Sequence, residues 1–451
     1  MKMRRALVIL LAVSTAAIAG VGPSAAEPSP PPGCSGAAWV AAWTASVQGA
    51  GNRFSSSMTG HSVTPPNDAF DNQTVRQVAH LHFGGQQIRI TLSNLFGTRP
   101  VRFDETHAAL RAEAASVVAG SDRRLTFAGR PDVVIPAGGE VTSDPAPLAV
   151  VPFSDLVVSV FTAGPTGPAT LHANAVQNYY TASGNHTGDG AGGAFSAGGD
   201  VSDPYRATFT TQVYFLRMVE VLAPASSRTV VAFGDSITDG FFSSGDANRR
   251  YPDDLARRLQ ADPATAHLAV AGQAISGGRV LHDGFGPSAL HRLDREVLAL
   301  HPVAVVFMQG LNDIGQPIAV RPPGTVQERV SAEDIIAGYR EVARRVHEAG
   351  ARIMIGTMTP AGDATRPAPY GIYSLPDGIA KRHAVNDWIM NHGREVFDGV
   401  VDFDLLVRSA ANPEHLDEKF DSGDDLHPND AGYQRMADAI PLEFFTHLPH
   451  C

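Results

Sequence analysis

Polar and apolar residues alternate along much of the first half of the chain. Ile88, Ile90 and Leu92, for example, alternate with Arg89 and Thr91. Residues 79–83 alternate in the same way, and three short runs bounded by Gly, Pro or Asp follow at 124–127, 133–135 and 156–161. A period of two residues, broken by turn residues, is typical of short antiparallel strands. We therefore predict a β-rich domain over residues 37–223, built as a β-sandwich or jelly roll.

The pattern changes near residue 226, where continuous apolar runs replace the alternation. Such runs lie at residues 229–233, 267–271, 303–308, 352–357 and 400–403. Runs without alternation fit strands that are buried on both faces of a sheet. The intervening segments look helical, and the clearest of them opens with a capping box at Ser331 and ends at Gly350. The pattern predicts an α/β domain over residues 226–445, with a parallel sheet and helices on both faces.

The first residues of the chain resemble a secretory signal. Lys2, Arg4 and Arg5 precede the short apolar stretch 6–20, and small residues follow at 24–26. We expect a signal peptide at 1–26 and a flexible leader at 27–36, with an uncleaved anchor as the alternative. We therefore expect a cleaved, secreted protein without a transmembrane segment. Cleavage would change the net charge from −11 to −14, because the three basic residues are lost.

Composition narrows the class of protein further. A length of 451 residues is too much for one ordinary domain and suggests two, and a hydrophobic content of 43% is enough to build their cores. With 46 acidic and 35 basic residues, the chain lacks the basic surface that general nucleic-acid binders need. Its two cysteines, Cys34 and Cys451, are too few for a cysteine-based zinc site. In an oxidising compartment they either form a disulfide or remain two terminal thiols.

Residues that could take part in catalysis follow the predicted strands of the second half of the chain. Ser236 comes directly after the first strand, Gly277 after the second and Asn312 after the third. Asp424 and His427 follow the fifth, spaced so that the carboxylate can hold one ring nitrogen while the other faces a serine. The carboxyl ends of parallel strands share one edge of a sheet, and ligands bind there. Each of these signals is modest alone, but four of them in this order are a strong indication of a functional site at that edge of the sheet.

These four segments resemble blocks I, II, III and V of the SGNH hydrolases, also called GDSL esterases/lipases. The matching residues are Ser236, Gly277, Asn312 and the Asp424–His427 pair, and the resemblance covers about residues 226–445. The chain looks similar to secreted actinobacterial members with an N-terminal β domain. The resemblance implies a flavodoxin-like, three-layer α/β fold. One departure is Gly272, where members often carry asparagine.

The resemblance also implies a mechanism and a function. Ser236 would be the nucleophile, His427 the general base and Asp424 the residue that orients the imidazole. The backbone N–H groups of Ser236 and Gly277, with the Asn312 side chain, would form the oxyanion hole. We expect a monomeric serine esterase that cleaves lipid or small acyl esters without a metal or organic cofactor. The alternatives are a polysaccharide O-acetylesterase, an acyltransferase or a non-catalytic glycan-binding surface protein.

Several neighbouring residues admit a simpler interpretation. Asp235 is expected to be a structural hydrogen-bonding residue of the turn, and Asp425 a solvated neighbour of Asp424. His80 and His82 share a strand face and could bind a metal, but no third ligand lies nearby in sequence. Two tyrosines of a long loop, Tyr370 and Tyr373, are candidates for the wall of the acyl pocket.

Overall fold

The computed structural model describes residues 36–52, 68–315, 329–362, 373–446 and 448. The predicted signal peptide, Cys34, Cys451 and Tyr370 lie outside these residues. Every helix within them is too short or too polar to cross a lipid bilayer.

The first part of the described chain, called here the β-rich region, consists mainly of strands, with one α-helix among its described residues. Its strands are β1 Ala37–Thr44, β2 Gln48–Gly49, β3 Gln73–His80, β4 Ile88–Ser93, β5 Val101–Phe103, β6 Glu105–Leu110, β7 Arg123–Arg124, β8 Val133–Ile135, β9 Glu140–Thr142, β10 Asp155–Thr162, β11 Thr170–Ala173, β12 Tyr179–Ser183, β13 Ser196–Ala197, β14 Gln212–Tyr214 and β15 Leu216–Pro224. Its helix, α1, is Pro204–Thr210.

Antiparallel pairing across long stretches of sequence organises the β-rich region. The two larger sheets have the orders β1-β15-β4-β9 and β13-β12-β3-β10-β6-β7, so that the first and last strands of the region are neighbours.

The alternation at residues 88–92 indeed forms a strand, β4. The Gly-rich stretch 188–199, which looks like a loop, contains β13 because its backbone pairs with the edge of β12. The jelly-roll or sandwich architecture stays a prediction.

The second part, the α/β region, alternates strands and helices as predicted. The strands are β16 Arg228–Gly234, β17 Leu268–Ala274, β18 Ala304–Met308, β19 Arg352–Gly356 and β20 Gly399–Val401. The helices are α2 Ser236–Asp239, α3 Tyr251–Ala261, α4 Ala289–Glu296, α5 Leu311–Gly315, α6 Ala332–Glu348, α7 Pro376–His392, α8 Phe403–Val407, α9 Asp430–Ala439 and α10 Glu443–Thr446. The capping box predicted at Ser331 opens α6 through reciprocal bonds with Asp334.

All five strands of the α/β region form one parallel sheet in the order β17-β16-β18-β19-β20. This is the flavodoxin-like order, in which the chain reverses direction across the sheet at the first strand. Val230 through Phe233 are fully buried, which requires cover on both faces of the sheet. Helices α3, α8 and α9 pack together, as do α4, α6 and α7. The crevice at the carboxyl end of β16 is where a ligand is expected.

The two regions share an extensive contact. Only residues 225–227 separate β15 from β16, and β1 packs against β17. Ala41 of β1 lies in the core of the α/β region, while Ala269 of β17 lies in the core of the β-rich region. The boundary is therefore a packed apolar surface with polar bonds across it, among them the bond from Thr44 Oγ1 to the carbonyl oxygen of Gly272 (2.8 Å).

Candidate active site

A sharp turn at the end of β16 places Ser236 at the mouth of the sheet. A side chain at Gly234 would collide with Thr238 and with the carbonyl oxygen of Met308, so the position needs glycine. Asp235 then caps α2 by accepting a hydrogen bond from the backbone N–H of Ile237 (3.2 Å). Ser236 is the first residue of α2, which ends one turn later at Gly240 in the left-handed conformation (φ 76°).

A chain of hydrogen bonds joins three of the residues predicted from the sequence. Ser236 Oγ lies 2.8 Å from His427 Nε2, and His427 Nδ1 lies 2.7 Å from Asp424 Oδ2. All three side chains are buried, with 8%, 3% and 6% of their residues' surfaces exposed. An imidazole held between a carboxylate and a hydroxyl can take the hydroxyl proton as a base.

Asp424 is held as a carboxylate by donors around it. Its Oδ1 accepts bonds from the backbone N–H groups of Leu426 (3.1 Å) and His427 (2.8 Å), and from the hydroxyl of Ser422 (3.2 Å). Burial alone would raise the pKa of Asp424, but the neighbouring imidazole and these bonds outweigh it, so the pKa is lowered. The imidazole partner is Asp424 rather than Asp425, whose backbone takes the left-handed conformation (φ 57°).

Gly277 and Asn312 border the same cavity as Ser236 and His427. Gly277 follows β17 in a turn with φ 77°, a backbone conformation that favours glycine. Asn312 lies in α5, just after β18, and its Nδ2 donates to the carbonyl oxygen of Gly278 over 3.0 Å. The structure therefore brings together all five residues that the sequence analysis selected.

Tyr373 has a more definite place than the sequence indicated. Its hydroxyl donates to Oδ1 of Asn312 over 2.8 Å, and its ring lines the cavity beside Ser236. The carbonyl oxygen of Gly278 can only accept and so fixes the position of Nδ2, while the Tyr373 hydroxyl donates to the other end of the amide. Sequence reasoning offered only a loop aromatic here, because the two residues are 61 positions apart and their contact depends on the packing of α7 near α5.

Aromatic and aliphatic side chains form the rest of the cavity wall. Phe241 packs on the imidazole of His427 with ring centroids 4.5 Å apart, and Phe242 meets the same ring edge-on at 5.7 Å. Leu426 completes the lining. These apolar walls limit the approach of water and strengthen electrostatic interactions inside the site.

Asp235 lies beneath the site, fully buried. Its Oδ2 is 3.5 Å from Nδ2 of Asn312. Burial raises the pKa of Asp235 to about 7, despite the bond from Ile237 and the nearby imidazole of His427. Its direct contacts, the cap of α2 and the approach to Asn312, agree with the expected structural role.

His80 and His82 are each engaged by a carboxylate rather than by each other. His80 Nδ1 lies 2.7 Å from Asp155, and His82 Nε2 lies 2.8 Å from Asp253. Among the described residues, no group of three or more His, Cys, Asp or Glu side chains could hold a metal ion. At Gly272, the departure from the family pattern, a Cβ atom would meet nothing within 4 Å.

Comparison with known proteins gives a match to one protein family, and the match covers most of the α/β region. Residues 232–435 match the model of the GDSL-like lipase/acylhydrolase family. No curated protein matches the chain.

Similar solved structures include a putative lipolytic protein of the G-D-S-L family from Desulfitobacterium hafniense (18% identity, TM-score 0.35, 49% of this chain and 98% of that one). A GDSL-like lipase from Bacteroides thetaiotaomicron is 19% identical (TM-score 0.37, 49% and 89% covered). A catalytic mutant of Axe2, an acetylxylan esterase from Geobacillus stearothermophilus, is 20% identical (TM-score 0.36, 50% and 96% covered). Residues 232–435, which include most of the parallel sheet, are similar to the GDSL-like lipase/acylhydrolase family, and the protein is a carboxylic ester hydrolase.

Proposed function

We propose that the protein is a secreted serine esterase that forms an acyl-enzyme on Ser236, with His427 and Asp424 completing a catalytic triad. The observation that carries the proposal is the hydrogen-bond chain from Asp424 Oδ2 through both nitrogens of His427 to Ser236 Oγ. Because Asp424 accepts at Nδ1, that nitrogen carries a proton, and Nε2 is left with its lone pair towards the hydroxyl.

The reaction then follows from these positions. Ser236 Oγ attacks the ester carbonyl carbon while its proton moves to His427 Nε2, and the carbonyl electron pair moves onto oxygen. The tetrahedral intermediate collapses, the bond to the alcohol oxygen breaks, and His427 returns the proton to that oxygen. A water molecule repeats the two steps on the acyl-enzyme, releasing the acid and restoring Ser236.

The developing oxyanion needs donors on the side of the cavity opposite His427. We assign this role to the backbone N–H groups of Ser236 and Gly277 and to Nδ2 of Asn312. Ser236 begins a helix, where backbone N–H groups have no partner within the helix. Gly277 and Asn312 line the cavity beside it. One such donor is typically worth about 3–4 kcal/mol in the transition state.

The proposal includes the division of the chain into a β-rich domain at 37–223 and a catalytic domain at 226–445. It also includes export through the signal segment 1–26 and the likeness to secreted actinobacterial members. Lipid and small acyl esters are the proposed substrates. A panel of esters with acyl chains from C2 to C16, a phospholipid and acetylated xylan separates them from polysaccharide acetyl esters, because a sharp preference for C2 would favour the latter.

The decisive experiment replaces the nucleophile. Ser236→Ala is expected to abolish both p-nitrophenyl acetate hydrolysis and labelling by a fluorophosphonate probe, while the melting temperature stays within a few degrees of wild type. Ser244→Ala is the matched control, because it removes a nearby hydroxyl but keeps the backbone bond from Ser244 to Asp430. Full activity in Ser236→Ala would exclude the proposed mechanism.

A further inference from the structure

We propose that His172, which lies in the β-rich region, is a positioning residue for the active site and acts through Asp239 and Ser276 on both sides of the proposed oxyanion hole. The proposal rests on the proposed function, since it assigns a role relative to Ser236 and Gly277. It gives the β-rich region an indirect part in catalysis, because none of its residues is proposed to touch the substrate.

The first step is the state of the His172 ring. Its Nδ1 lies 2.9 Å from the carbonyl oxygen of Ser46, and its Nε2 lies 3.1 Å from Oδ1 of Asp239. A carbonyl oxygen and a carboxylate can only accept hydrogen bonds, so both ring nitrogens must donate, and the ring is an imidazolium. Burial lowers the pKa of His172, but the charge and hydrogen bond of Asp239 outweigh it, and the pKa is raised.

The second step is the position of Asp239. It is the last residue of α2, the single helical turn that begins with Ser236. While Oδ1 faces His172, Oδ2 accepts a hydrogen bond from the hydroxyl of Ser276 over 2.8 Å. Ser276 immediately precedes Gly277. One buried carboxylate thus connects the turn that carries the nucleophile with the turn that carries the second oxyanion donor.

The third step is what the cation contributes. Asp239 is buried, with 5% of its surface exposed. A carboxylate in such a place is costly unless it is paired. Without the imidazolium, the carboxylate would have to shift towards other donors or take up a proton, and either change would disturb its bond to Ser276. Displacements of about 1 Å at the reacting groups can cost about 100-fold in rate.

A second imidazole in the same interface also lies between a backbone carbonyl oxygen and a carboxylate, but that carboxylate is not the one that accepts the hydroxyl bond of Ser276. His82 Nδ1 lies 2.8 Å from the carbonyl oxygen of Val270, and its Nε2 lies 2.8 Å from Asp253 in α3. His82 is buried to a similar degree as His172. It therefore provides a matched control for the loss of a buried histidine–carboxylate pair between the two regions.

The test compares His172→Gln with His82→Gln in the full chain. A glutamine amide can donate to the carboxylate or to the carbonyl, but it cannot bridge both acceptors. Both variants are expected to lower the melting temperature. On p-nitrophenyl acetate, His172→Gln should lower kcat about 10- to 100-fold with KM within about twofold, while His82→Gln should keep kcat within about twofold of wild type. Equal kcat losses in the two variants would reduce His172 to a structural residue and overturn the proposal.

Ser276→Ala tests the path itself, because it leaves the His172–Asp239 pair intact. It should lower kcat in the same way, and the double variant His172→Gln/Ser276→Ala should lose no more than the worse single variant. Losses that multiply in the double variant would overturn the path. If His172→Gln does not fold, an unchanged kcat in Ser276→Ala overturns the proposal on its own.

The outcomes also separate this proposal from the proposed function. Activity that survives Ser236→Ala contradicts the nucleophile assignment, whatever His172 does. An inactive Ser236→Ala beside a fully active His172→Gln contradicts only the positioning role.

Discussion

The hydroxyl of Tyr373 donates to Oδ1 of Asn312 over 2.8 Å and so holds the amide with its Nδ2 towards the active-site turn. An amide rotated by 180° would lose the bond from Nδ2 to the carbonyl oxygen of Gly278 and would present an acceptor to the oxyanion in place of a donor. The bond makes Tyr373 part of the preorganisation of the site.

Tyr373→Phe is therefore expected to lower kcat by about fivefold to tenfold, the effect of losing one neutral hydrogen bond. Asn312→Ala, which removes the donor itself, should cost about 10²–10³ in kcat. Steady-state kinetics on p-nitrophenyl acetate measures both. Tyr180→Phe is the control, because it removes a hydroxyl that bonds to Arg111 in the β-rich region. An unchanged kcat in Tyr373→Phe would show that the amide is oriented without it.

Asp424→Asn should lower kcat about 10⁴-fold while the fold persists. An asparagine cannot stabilise the imidazolium and favours the wrong tautomer of His427. The neighbouring variant Asp425→Asn is the control, since asparagine tolerates the left-handed conformation of that position. It should retain activity within about twofold. Comparable losses in the two variants would contradict the assignment of Asp424.

Asp235 is expected to make stability depend on pH. Its pKa rises from 3.8 in the unfolded chain to about 7 in the folded protein, so the folded state binds the proton more tightly. The stabilisation is complete below about pH 4 and is fully lost only once the pH has risen through 7. At 1.36 kcal/mol per unit, the loss is about 4 kcal/mol.

The isosteric variant Asp235→Asn keeps a capping side chain but does not titrate. Urea unfolding of both proteins between pH 4 and pH 7 should show wild type losing about 3 kcal/mol relative to the variant. A difference that does not change with pH would mean that Asp235 ionises in the folded protein as easily as in the unfolded chain.

Glu296→Gln is expected to lower the free energy of unfolding by about 3–5 kcal/mol. Glu296 and Arg292 are both fully buried, with Nη1 of Arg292 2.9 Å from Oε2 of Glu296. Removing the carboxylate leaves a buried guanidinium without its counter-charge. Glu348→Gln breaks an exposed pair with Arg344 on α6 and should change stability by about 0.5 kcal/mol or less. Similar effects of the two substitutions in denaturant titrations would contradict this reasoning.

The parts of the fold that could be predicted from sequence depend on neighbours along the chain. Five unbroken apolar runs became the five strands of the parallel sheet. The capping box at Ser331 depends on one turn of backbone, and so does the bond between Asp424 and His427. Ser236 meets His427 because each follows a strand whose end lies on the same edge of the sheet.

The parts that could not be predicted depend on packing between distant segments. His172 reaches Asp239 only because β11 is carried to the α/β region by antiparallel pairing in the β-rich region. Tyr373 reaches Asn312 across 61 positions. Neither residue has a local pattern that would distinguish it from an ordinary buried histidine or loop tyrosine.

The joint of three residues between β15 and β16 bears on how such a protein can evolve or be engineered. The connection is short, and each region places one alanine in the core of the other, Ala41 in the α/β core and Ala269 in the β-rich core. The hydrolase part therefore cannot be treated as an interchangeable module. A chimera that replaces the front region would have to reproduce the surface facing β17 and, if His172 acts as proposed, retain the imidazole at that position. Recombination at residues 225–227 should therefore give folded but slow enzymes unless both halves come from the same lineage.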